Sequence, residues 1–427
     1  MHLLRSRSFL PIFLTQFFGA FNDNAFKLAM LTLISYYLST SQTNSEQYQS
    51  IASILFMLPF FVFSAISGQL ADTYDKGFII RLIKISEVLL MCVGSVALFK
   101  GSIFFMLLTL TGLGVHSTFF GPIKYAILLD HLPRSQLLTA TGYIEASTFV
   151  AILAGTILGT LSIGNKDHVI YAIFLINFSS ICGLIASLFI LPAPPAQLNL
   201  TKVNLNIWCS TLEMIKKVSV NKQAYPVVLL ISWFWLIGAV VLIKLPDYSH
   251  FTLGANTTVF AMFLAIFSIG IAIGSLAIIK ILAGKITLRY VPAAMFLLTL
   301  FALDLYWASP SAVKNDSQLI NLSQFLSIWQ HWRITIDFFL FSFCGGLFVV
   351  PLYTYLQAIS KESHRAQTIA ANNIYNALAM VLGSLIVIVM LKFNLLIKDV
   401  FLFIALTNIF VTIIINRLYK ISHLASP

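Results

Sequence analysis

Residues Gly68 to Arg81 read GQLADTYDKGFIIR and directly follow an apolar run that begins near residue 49. Gly68 removes a side chain from the inner end of this run, which allows two helices to approach closely. Asp72 can lie near the N-terminal end of a helix from the other half of the chain, where the helix dipole favours a negative charge. Lys76 and Arg81 follow and can pair with acidic side chains or lipid phosphates. This stretch therefore predicts a packed, charged turn between two membrane helices.

The composition predicts that lipid, rather than water, surrounds much of the chain. Of its 427 residues, 59% are hydrophobic and only 10% are charged, whereas soluble domains carry about 25% charged residues. A soluble fold cannot hide this much apolar surface. The net charge of +11 would suggest nucleic acid in a soluble protein. Here the basic residues lie in short loops between apolar runs, which is typical of a membrane protein.

Twelve apolar runs approach or exceed the roughly 20 residues that a membrane span needs. The longest polar stretch, 193–225, divides them six and six. We therefore predict an all-α integral membrane protein with six-helix bundles at 1–192 and 226–427, joined by a cytoplasmic linker at 193–225. The predicted spans are 9–38, 49–71, 79–99, 102–126, 136–163, 168–192, 226–249, 256–281, 288–308, 333–356, 366–391 and 399–418.

The distribution of lysine and arginine between the loops on the two sides predicts the orientation. With the N-terminus in the cytoplasm, 18 of the 26 basic residues fall on the cytoplasmic side, Lys84 among them, and six fall outside. Lys27 and Lys244 fall within spans. Both termini are therefore predicted to be cytoplasmic.

The linker contains IWCSTLEMIKKVSV, residues 207–220, in which apolar residues recur at helical spacing beside Lys216 and Lys217. This pattern indicates an amphipathic helix on the membrane surface. A partly ordered linker is an equally good interpretation of the same residues.

The turn at 68–81 resembles the signature loop between the second and third helices of the major facilitator superfamily. It departs from that pattern at Thr73 and Asp75, and its counterpart in the second half, GSLAIIKILAGK at Gly274–Lys285, lacks the aspartate. The resemblance implies two six-helix halves around a central site that opens alternately to each side. The gating residues that it implies are Gly68, Asp72, Lys76 and Arg81.

Five further segments resemble the bacterial lysophospholipid transporter family (LplT-type), and also the transporter portion of proteins in which it is fused to acyltransferase domains. The resemblance covers most of the chain. The segments are FFGAFNDNAFK at 17–27, GPIKYAIL at 121–128, GYIEASTFVAILAG at 142–155, GGLFVVPLYTYLQ at 345–357 and IAANNIYNALAMV at 369–381.

This resemblance implies a flippase for lysophospholipids, chiefly lysophosphatidylethanolamine. It would move them from the outer to the inner leaflet of the bacterial inner membrane for reacylation. The chain ends soon after the twelfth span, so we expect any acyltransferase partner to be a separate polypeptide. Membrane lipids are the other expected partners, and nucleic acid is not expected.

Charged side chains within the first five spans are the main candidates for substrate binding, because such groups in lipid normally face a cavity or a partner. Asp23 and its neighbour Asn24 are the candidates on the first span, and Asp23 shares one helix face with Gln16. Lys27 lies four residues further on and can instead neutralise Asp23 or reach the interface. The other candidates are Glu145 and Lys124, for which structural or interfacial roles are the alternative. A zwitterionic head group suits these charges of both signs.

The second half is poorer in charge, and its candidates are Asn372, Asn373 and Asn376 of the eleventh span. Amide side chains both donate and accept hydrogen bonds, so they can bind substrate or hold helices together. Lys244, near the outer end of the seventh span, is a further possible site residue and can pair with Asp247.

Two other kinds of function compete with lysophospholipid transport. One is a proton-coupled exporter or importer of another small amphiphile in the same superfamily, and the other is a scaffold that docks an acyltransferase. Polar residues on shared helix faces argue against a scaffold. An enzyme is the least expected class, because the sequence has no HxxxxD pattern, phosphate-binding glycine loop or metal cluster. We expect no cofactor or metal, and interpret His116 as an isolated packing residue.

Overall fold

The structure, a computed structural model, describes residues 3–39, 41–163, 169–195, 203–310, 319–393 and 395–424. Thirteen long helices run through these residues, and short helical turns extend or connect several of them. In chain order they are α1 Leu10–Leu33, α2 Gln42–Thr73, α3 Lys76–Lys100, α4 Ile103–Ala126, α5 Arg134–Leu161, α6 Val169–Leu188, α7 Ile207–Val220, α8 Ala224–Asp247, α9 Thr257–Leu282, α10 Val291–Ala308, α11 Trp329–Ile359, α12 Arg365–Lys392 and α13 Asp399–Leu424.

The helices agree with the predicted membrane spans. In the described residues, eleven helices are long and apolar enough to cross a membrane. The remaining long helices are the linker helix α7 and α1. Helix α1 has the length of a span, but Asn22, Asp23, Asn24 and Lys27 interrupt its apolar run. Counted with α1, the described helices confirm the predicted all-α membrane fold.

Local sequence explains several helix ends. Pro11 stands in the first turn of α1, where its missing N–H costs nothing. The Ser41 hydroxyl caps α2 by accepting a hydrogen bond from the Asn44 N–H at 3.3 Å. Gly101 ends α3 in the left-handed conformation, with φ +64°. These signals separate α1, α2, α3 and α4 although their intervening loops are short.

The chain folds into two compact units. The first contains Met1–Val220 and Ser360–Ile374, and the second contains Asn221–Ile359 and Tyr375–Pro427. These limits differ from the predicted domain boundaries in two respects. Helix α7 of the predicted linker belongs to the first unit, and so do the first turns of α12.

In the first unit, α1 packs against α5 and α6, α2 against α4, and α3 against both α4 and α6. The apolar side chains between these helices form one buried cluster that includes Phe26, Met30, Met91, Leu110 and Ile176. Two polar side chains of α1, Gln16 and Asn22, are buried in the same bundle and hydrogen-bond to α5 and α3 respectively.

In the second unit, α9 and α10 pack against α11, and α8 and α10 pack against α13. Phenylalanine rings fill much of this contact, with Phe338 in edge-on contact with Phe263 at 5.2 Å between ring centroids. The charged residues of this unit lie mainly toward helix ends, for example Lys244 and Asp247 at the end of α8.

The helix α7 covers the residues 207–220 that the sequence singles out. Ser210, Met214 and Val218 are its buried residues and pack on the first unit, whereas Trp208 and Leu212 are exposed. The segment is therefore helical in this structure. Its position on the membrane surface stays a prediction, and linker residues 196–202 lie outside the described residues.

Candidate functional site

The candidate substrate site in the first unit is built on α1, α4 and α5. Asp23 lies in the middle of α1, and the Ser117 hydroxyl of α4 donates a hydrogen bond to its Oδ2. The other carboxylate oxygen, Oδ1, is buried and has no hydrogen-bond partner among the described residues. A buried carboxylate oxygen without a donor is costly, so Oδ1 is a natural acceptor for a ligand.

Glu145 of α5 and Lys124 of α4 lie near the same region. Glu145 is buried and accepts a hydrogen bond from the Tyr125 hydroxyl. The Lys124 ammonium lies 4.9 Å from the centroid of the Tyr125 ring. Tyr125 therefore contacts both Lys124 and Glu145, and their helices, α4 and α5, both pack against the helix that carries Asp23.

Two candidates near Asp23 on α1, Asn24 and Lys27, contact residues other than Asp23. The Asn24 amide donates to the Ala20 carbonyl of its own helix at 2.8 Å. The Lys27 ammonium lies 5.7 Å from the centroid of the Phe56 ring. Among the described residues, no ion pair within 4.0 Å joins Lys27 to Asp23. The carboxylate of Asp23 thus keeps an oxygen available although a lysine follows one helical turn later.

The three candidate asparagines of α12 fall into different surroundings. Asn372 is fully buried in the first unit, and neither its oxygen nor its nitrogen has a hydrogen-bond partner in the described chain. Asn373, in the same unit, lies against α4, because a Cβ built on Gly121 would be 2.8 Å from its Nδ2. Asn372 is therefore a buried amide with unused hydrogen-bonding capacity.

Asn376 belongs to the second unit and is already hydrogen-bonded there. It accepts from the Ser232 hydroxyl at 2.9 Å and donates to the Tyr353 hydroxyl at 3.3 Å. Its side chain therefore joins α8, α11 and α12. Lys244 in this unit pairs with Asp247 at 3.0 Å, so both second-unit candidates have internal partners.

The aspartate of the signature turn binds the beginning of α12. Asp72 Oδ1 accepts from the Ala366 N–H at 2.9 Å, and Oδ2 accepts from the Gln367 N–H at 3.0 Å. Gly68 permits this approach, because a Cβ there would lie 2.8 Å from the Ala370 Cβ and 2.9 Å from the Gln367 Cα. The carboxylate thus occupies the helix N-terminus that the sequence pattern predicts for it.

The basic residues of the turn also have partners within the first unit. Lys76 forms an ion pair of 2.9 Å with Asp130, whose other oxygen lies 3.3 Å from an Arg365 nitrogen. Arg81 donates to the Ile190 carbonyl at 2.9 Å. The turn is therefore bonded to the end of α4, to the end of α6 and to the first turn of α12. Its role in gating stays a prediction.

A buried charge cluster of Lys84, Glu87 and His116 corrects two sequence-based predictions. The lysine and arginine distribution assigns Lys84 to the cytoplasmic side, but α3 begins at Lys76, so Lys84 lies about 12 Å along the helix. Its ammonium is fully buried 2.5 Å from Glu87 Oε2, and His116 Nε2 lies 3.0 Å from the same oxygen. His116 is therefore not an isolated packing residue.

Sequence reasoning missed this cluster because its members are divided between two helices. Lys84 and Glu87 are three residues apart on α3, and that spacing was available as a signal of one helix face. The participation of His116 depends on how α4 packs beside α3, which the order of residues does not reveal.

Comparisons with known proteins agree with this architecture. A family model described as Major Facilitator Superfamily matches residues 12–384. The lysophospholipid transporter LplT of Citrobacter koseri is 27% identical over 383 residues, which cover 88% of this chain and 87% of that protein. The lysophospholipid transporter LplT of Shigella dysenteriae serotype 1 is 27% identical over 394 residues, covering 89% and 87%. The predicted resemblance is thereby confirmed.

A solved structure is similar in fold. The human organic anion transporter MFSD10 (TETRAN) superposes with a TM-score of 0.74 at 12% sequence identity, over 96% of this chain and 99% of that one. At this identity the likeness concerns the fold alone.

Proposed function

Because the chain belongs to the major facilitator superfamily, we propose that it transports lysophospholipids across the inner membrane of a bacterium by alternating access. It moves lysophosphatidylethanolamine and related lysolipids from the outer to the inner leaflet, where they are reacylated. The similarity to lysophospholipid transporters along almost the whole chain supports this substrate class. The multi-pass helical fold supports transport rather than catalysis.

One observation carries the proposal: the first unit holds groups of both signs that are not neutralised by close ion pairs. Asp23 Oδ1 has no hydrogen-bond partner in the described residues. Lys124 of α4 forms no ion pair within 4.0 Å with any carboxylate of the described residues. A phosphodiester needs a cation and an ammonium needs a carboxylate, so a zwitterionic head group complements both.

Each candidate residue then has a defined part in binding. Lys124 binds the phosphate, while Asp23 and Glu145 bind the ammonium. Asn372 supplies a donor and an acceptor for the glycerol and its ester, because its amide is buried without partners in the described chain. The single acyl chain stays in apolar surroundings, which the phenylalanine-rich helices and the lipid supply.

The test is reconstitution of the purified protein into liposomes with labelled lysophosphatidylethanolamine. We expect the label to become inaccessible to an impermeant quencher faster than in protein-free liposomes. The assay is run with and without a proton gradient. Uptake that collapses without the gradient would favour a proton-coupled member of the superfamily, and absence of uptake would contradict the substrate assignment.

The orientation belongs to the same proposal, with both termini and Lys216 in the cytoplasm. The excess of lysine and arginine in one set of loops supports it. Single cysteines at Lys216 and at Lys398 test it with an impermeant thiol reagent in intact cells. We expect labelling at 398 and none at 216, and the reverse pattern would overturn the orientation.

A further inference from the structure

We propose that the buried charge cluster of Lys84, Glu87 and His116 positions Asp23 for ligand binding. It acts through Asn22, the residue before Asp23 on α1, and through Ser117, the residue after His116 on α4. The inference rests on the proposed function in one respect, namely that Asp23 contacts the transported head group. The cluster itself touches no ligand, so its members are positioning residues.

Glu87 is the centre of the cluster because both of its carboxylate oxygens are used. Oε1 accepts from the Asn22 amide of α1 at 2.9 Å. Oε2 accepts from the Lys84 ammonium at 2.5 Å and lies 3.0 Å from His116 Nε2 on α4. A single carboxylate on α3 is therefore hydrogen-bonded to α1 and lies 3.0 Å from a histidine nitrogen of α4.

The two helices held by Glu87 are the same two that form the Asp23 contact. On α1, Asn22 binds Glu87 and the next residue is Asp23. On α4, His116 lies beside Glu87 and the next residue is Ser117, which donates to Asp23. Fixing Asn22 and His116 against one carboxylate therefore fixes the spacing of Asp23 and Ser117. That spacing leaves Asp23 Oδ1 without a partner in the described residues and available to a ligand.

The surroundings of Lys84 are shaped to hold its charge inside the bundle. A Cβ built on Gly19 of α1 would lie 2.7 Å from the Lys84 nitrogen, so a larger residue there would displace the ammonium from its present position. The same nitrogen lies 5.4 Å from the centroid of the Phe120 ring, which is stacked with the His116 ring. The ammonium is thus enclosed by α1 and α4 as well as by its own helix.

Stability alone gives no reason for this arrangement. Removing two charges from water is costly, and replacing a buried ion pair by apolar residues of similar volume is often neutral or stabilising. A pair that only filled space would be served equally well by two methionines. The hydrogen bond from Asn22 to Glu87, by contrast, needs the carboxylate.

The central experiment replaces the pair together, as Lys84→Met with Glu87→Met, so that no unpaired charge stays buried. We expect the variant to fold and to keep its maximal transport rate. The KM for lysophosphatidylethanolamine should rise by roughly tenfold, because the ligand must now bind an Asp23 that is no longer held in place. An unchanged KM in a folded double variant would overturn the inference.

A double-mutant cycle separates positioning from general packing. Asn22→Ala should raise KM similarly in the wild-type background, and it should have little further effect in the Lys84→Met, Glu87→Met background, because both changes break one connection. Asn177→Ala is the matched control: it removes an interhelical hydrogen bond of 2.6 Å that joins α6 to Ser95 of α3 in the same unit. Equal KM effects of Asn177→Ala and Asn22→Ala would indicate a packing role and contradict the proposal.

Thiol reactivity at position 117 can be measured without substrate, so it tests the position of Asp23 independently of transport. If the wild-type protein fails to move lysophospholipid, the proposed function fails. In that case the inference is tested with Ser117→Cys in a protein whose native cysteines are replaced. The rate at which this thiol reacts with a thiol reagent is measured. We expect that thiol to react faster in the Lys84→Met, Glu87→Met background because α1 and α4 are no longer held together. Unchanged reactivity would overturn the inference.

Discussion

Gly68 in the first unit and Gly274 in the second occupy corresponding places, in GQLAD and GSLAI respectively. Both allow close helix packing within their own unit. A Cβ on Gly68 would lie 2.8 Å from the Ala370 Cβ, and one on Gly274 would lie 3.2 Å from the Gly346 Cα. Four residues later the two sequences differ, with Asp72 in the first unit and the buried Ile278 in the second.

The ends of the two helices show why the second unit does without the charge. Asp72 accepts two backbone N–H groups from the first turn of α12. In the second unit α9 ends in left-handed backbone, with φ +48° at Ala283 and +78° at Gly284. Both units therefore have a glycine at the helix contact, Gly68 or Gly274, whereas only the first unit has a carboxylate four residues later, Asp72. A feature present in one unit and not required by the shared packing is a candidate for function.

The candidate binding residues differ between the units in the same way. Asp23, Lys124 and Glu145 of the first unit carry charge. In the second unit, Asn376 is neutral and is held by Ser232 and Tyr353, and Lys244 is paired with Asp247. If the proposed function holds, the first unit binds the head group, and the following variants test this difference between the units.

The largest effect is expected from Ile278→Asp, which gives the second unit the aspartate of the first. Ile278 is 1% exposed, and a buried charge without a partner costs about 3–5 kcal/mol. We expect a strong loss of folded protein in detergent, measured by thermal unfolding. Ile278→Leu is the control and should cost less than about 1.5 kcal/mol. Normal stability of Ile278→Asp would show that the second unit also accommodates this charge.

A smaller effect is expected from Glu145→Gln, which keeps the side-chain shape and removes its charge. A hydrogen bond to a charged group contributes about 1.5–3 kcal/mol, so apparent affinity for lysophosphatidylethanolamine should fall roughly tenfold or more. Lysophosphatidylglycerol, which has no ammonium, should lose less. Asn376→Ala serves as the second-unit control and should affect both lipids equally. Equal loss of both lipids in Glu145→Gln would remove Glu145 from the head-group site.

Gly68→Ala should have an intermediate effect of about 1–3 kcal/mol on stability, since the added methyl group overpacks the contact with Gln367 and Ala370. Gly238→Ala in α8 is the matched control, because a Cβ there meets no atom within 4 Å. Thermal unfolding of the two purified variants measures the difference. Similar stability of both would mean that the close approach at Gly68 is not required.

The membrane spans were predictable because each depends on a continuous apolar run, which the sequence displays directly. The partner of Asp72 was predictable in kind, since a carboxylate beside a packing glycine favours a helix N-terminus. The identity of that partner, the Ala366 and Gln367 amides, required the fold. Contacts between residues distant in sequence depend on helix neighbours and rotations that hydropathy does not encode.

Sequence-based prediction failed for two buried residues, one by including a residue that is already hydrogen-bonded and one by overlooking a buried charge. Asn24 is adjacent to Asp23 and looked equivalent to it, but its amide is bonded to Ala20 of its own helix. Lys84 looked like a loop residue because basic residues usually lie at the interface, yet Glu87 and His116 surround it inside the bundle. A membrane lysine can be buried when its partner lies one helical turn away, and a count of loop charges does not detect that case.

The smallest effect on stability, and the most specific effect on transport, is expected from Asp72→Asn. The carboxylate accepts one N–H on each oxygen, whereas the amide has one acceptor and presents its NH₂ group to the other donor. The lost charge also removes a favourable interaction with the dipole of α12, so the change should cost about 0.3–2 kcal/mol. We expect insertion and expression to be normal and the initial rate of lysophosphatidylethanolamine transport to fall.

Asp75→Asn is the control that makes this test decisive. Asp75 lies in the same turn and also accepts two backbone N–H groups, from Phe78 and Ala193, each at 2.7 Å. Its partners are the start of α3 and the segment after α6, and α12 is not among them. If the hydrogen bonds from Asp72 to the start of α12 are needed for gating, Asp75→Asn lowers thermal stability by about as much as Asp72→Asn does. It should nevertheless leave the transport rate near normal. Equal losses of transport in both variants would mean that the turn needs its helix caps only for folding, and the difference between Asp72 and Ile278 would then have no bearing on gating.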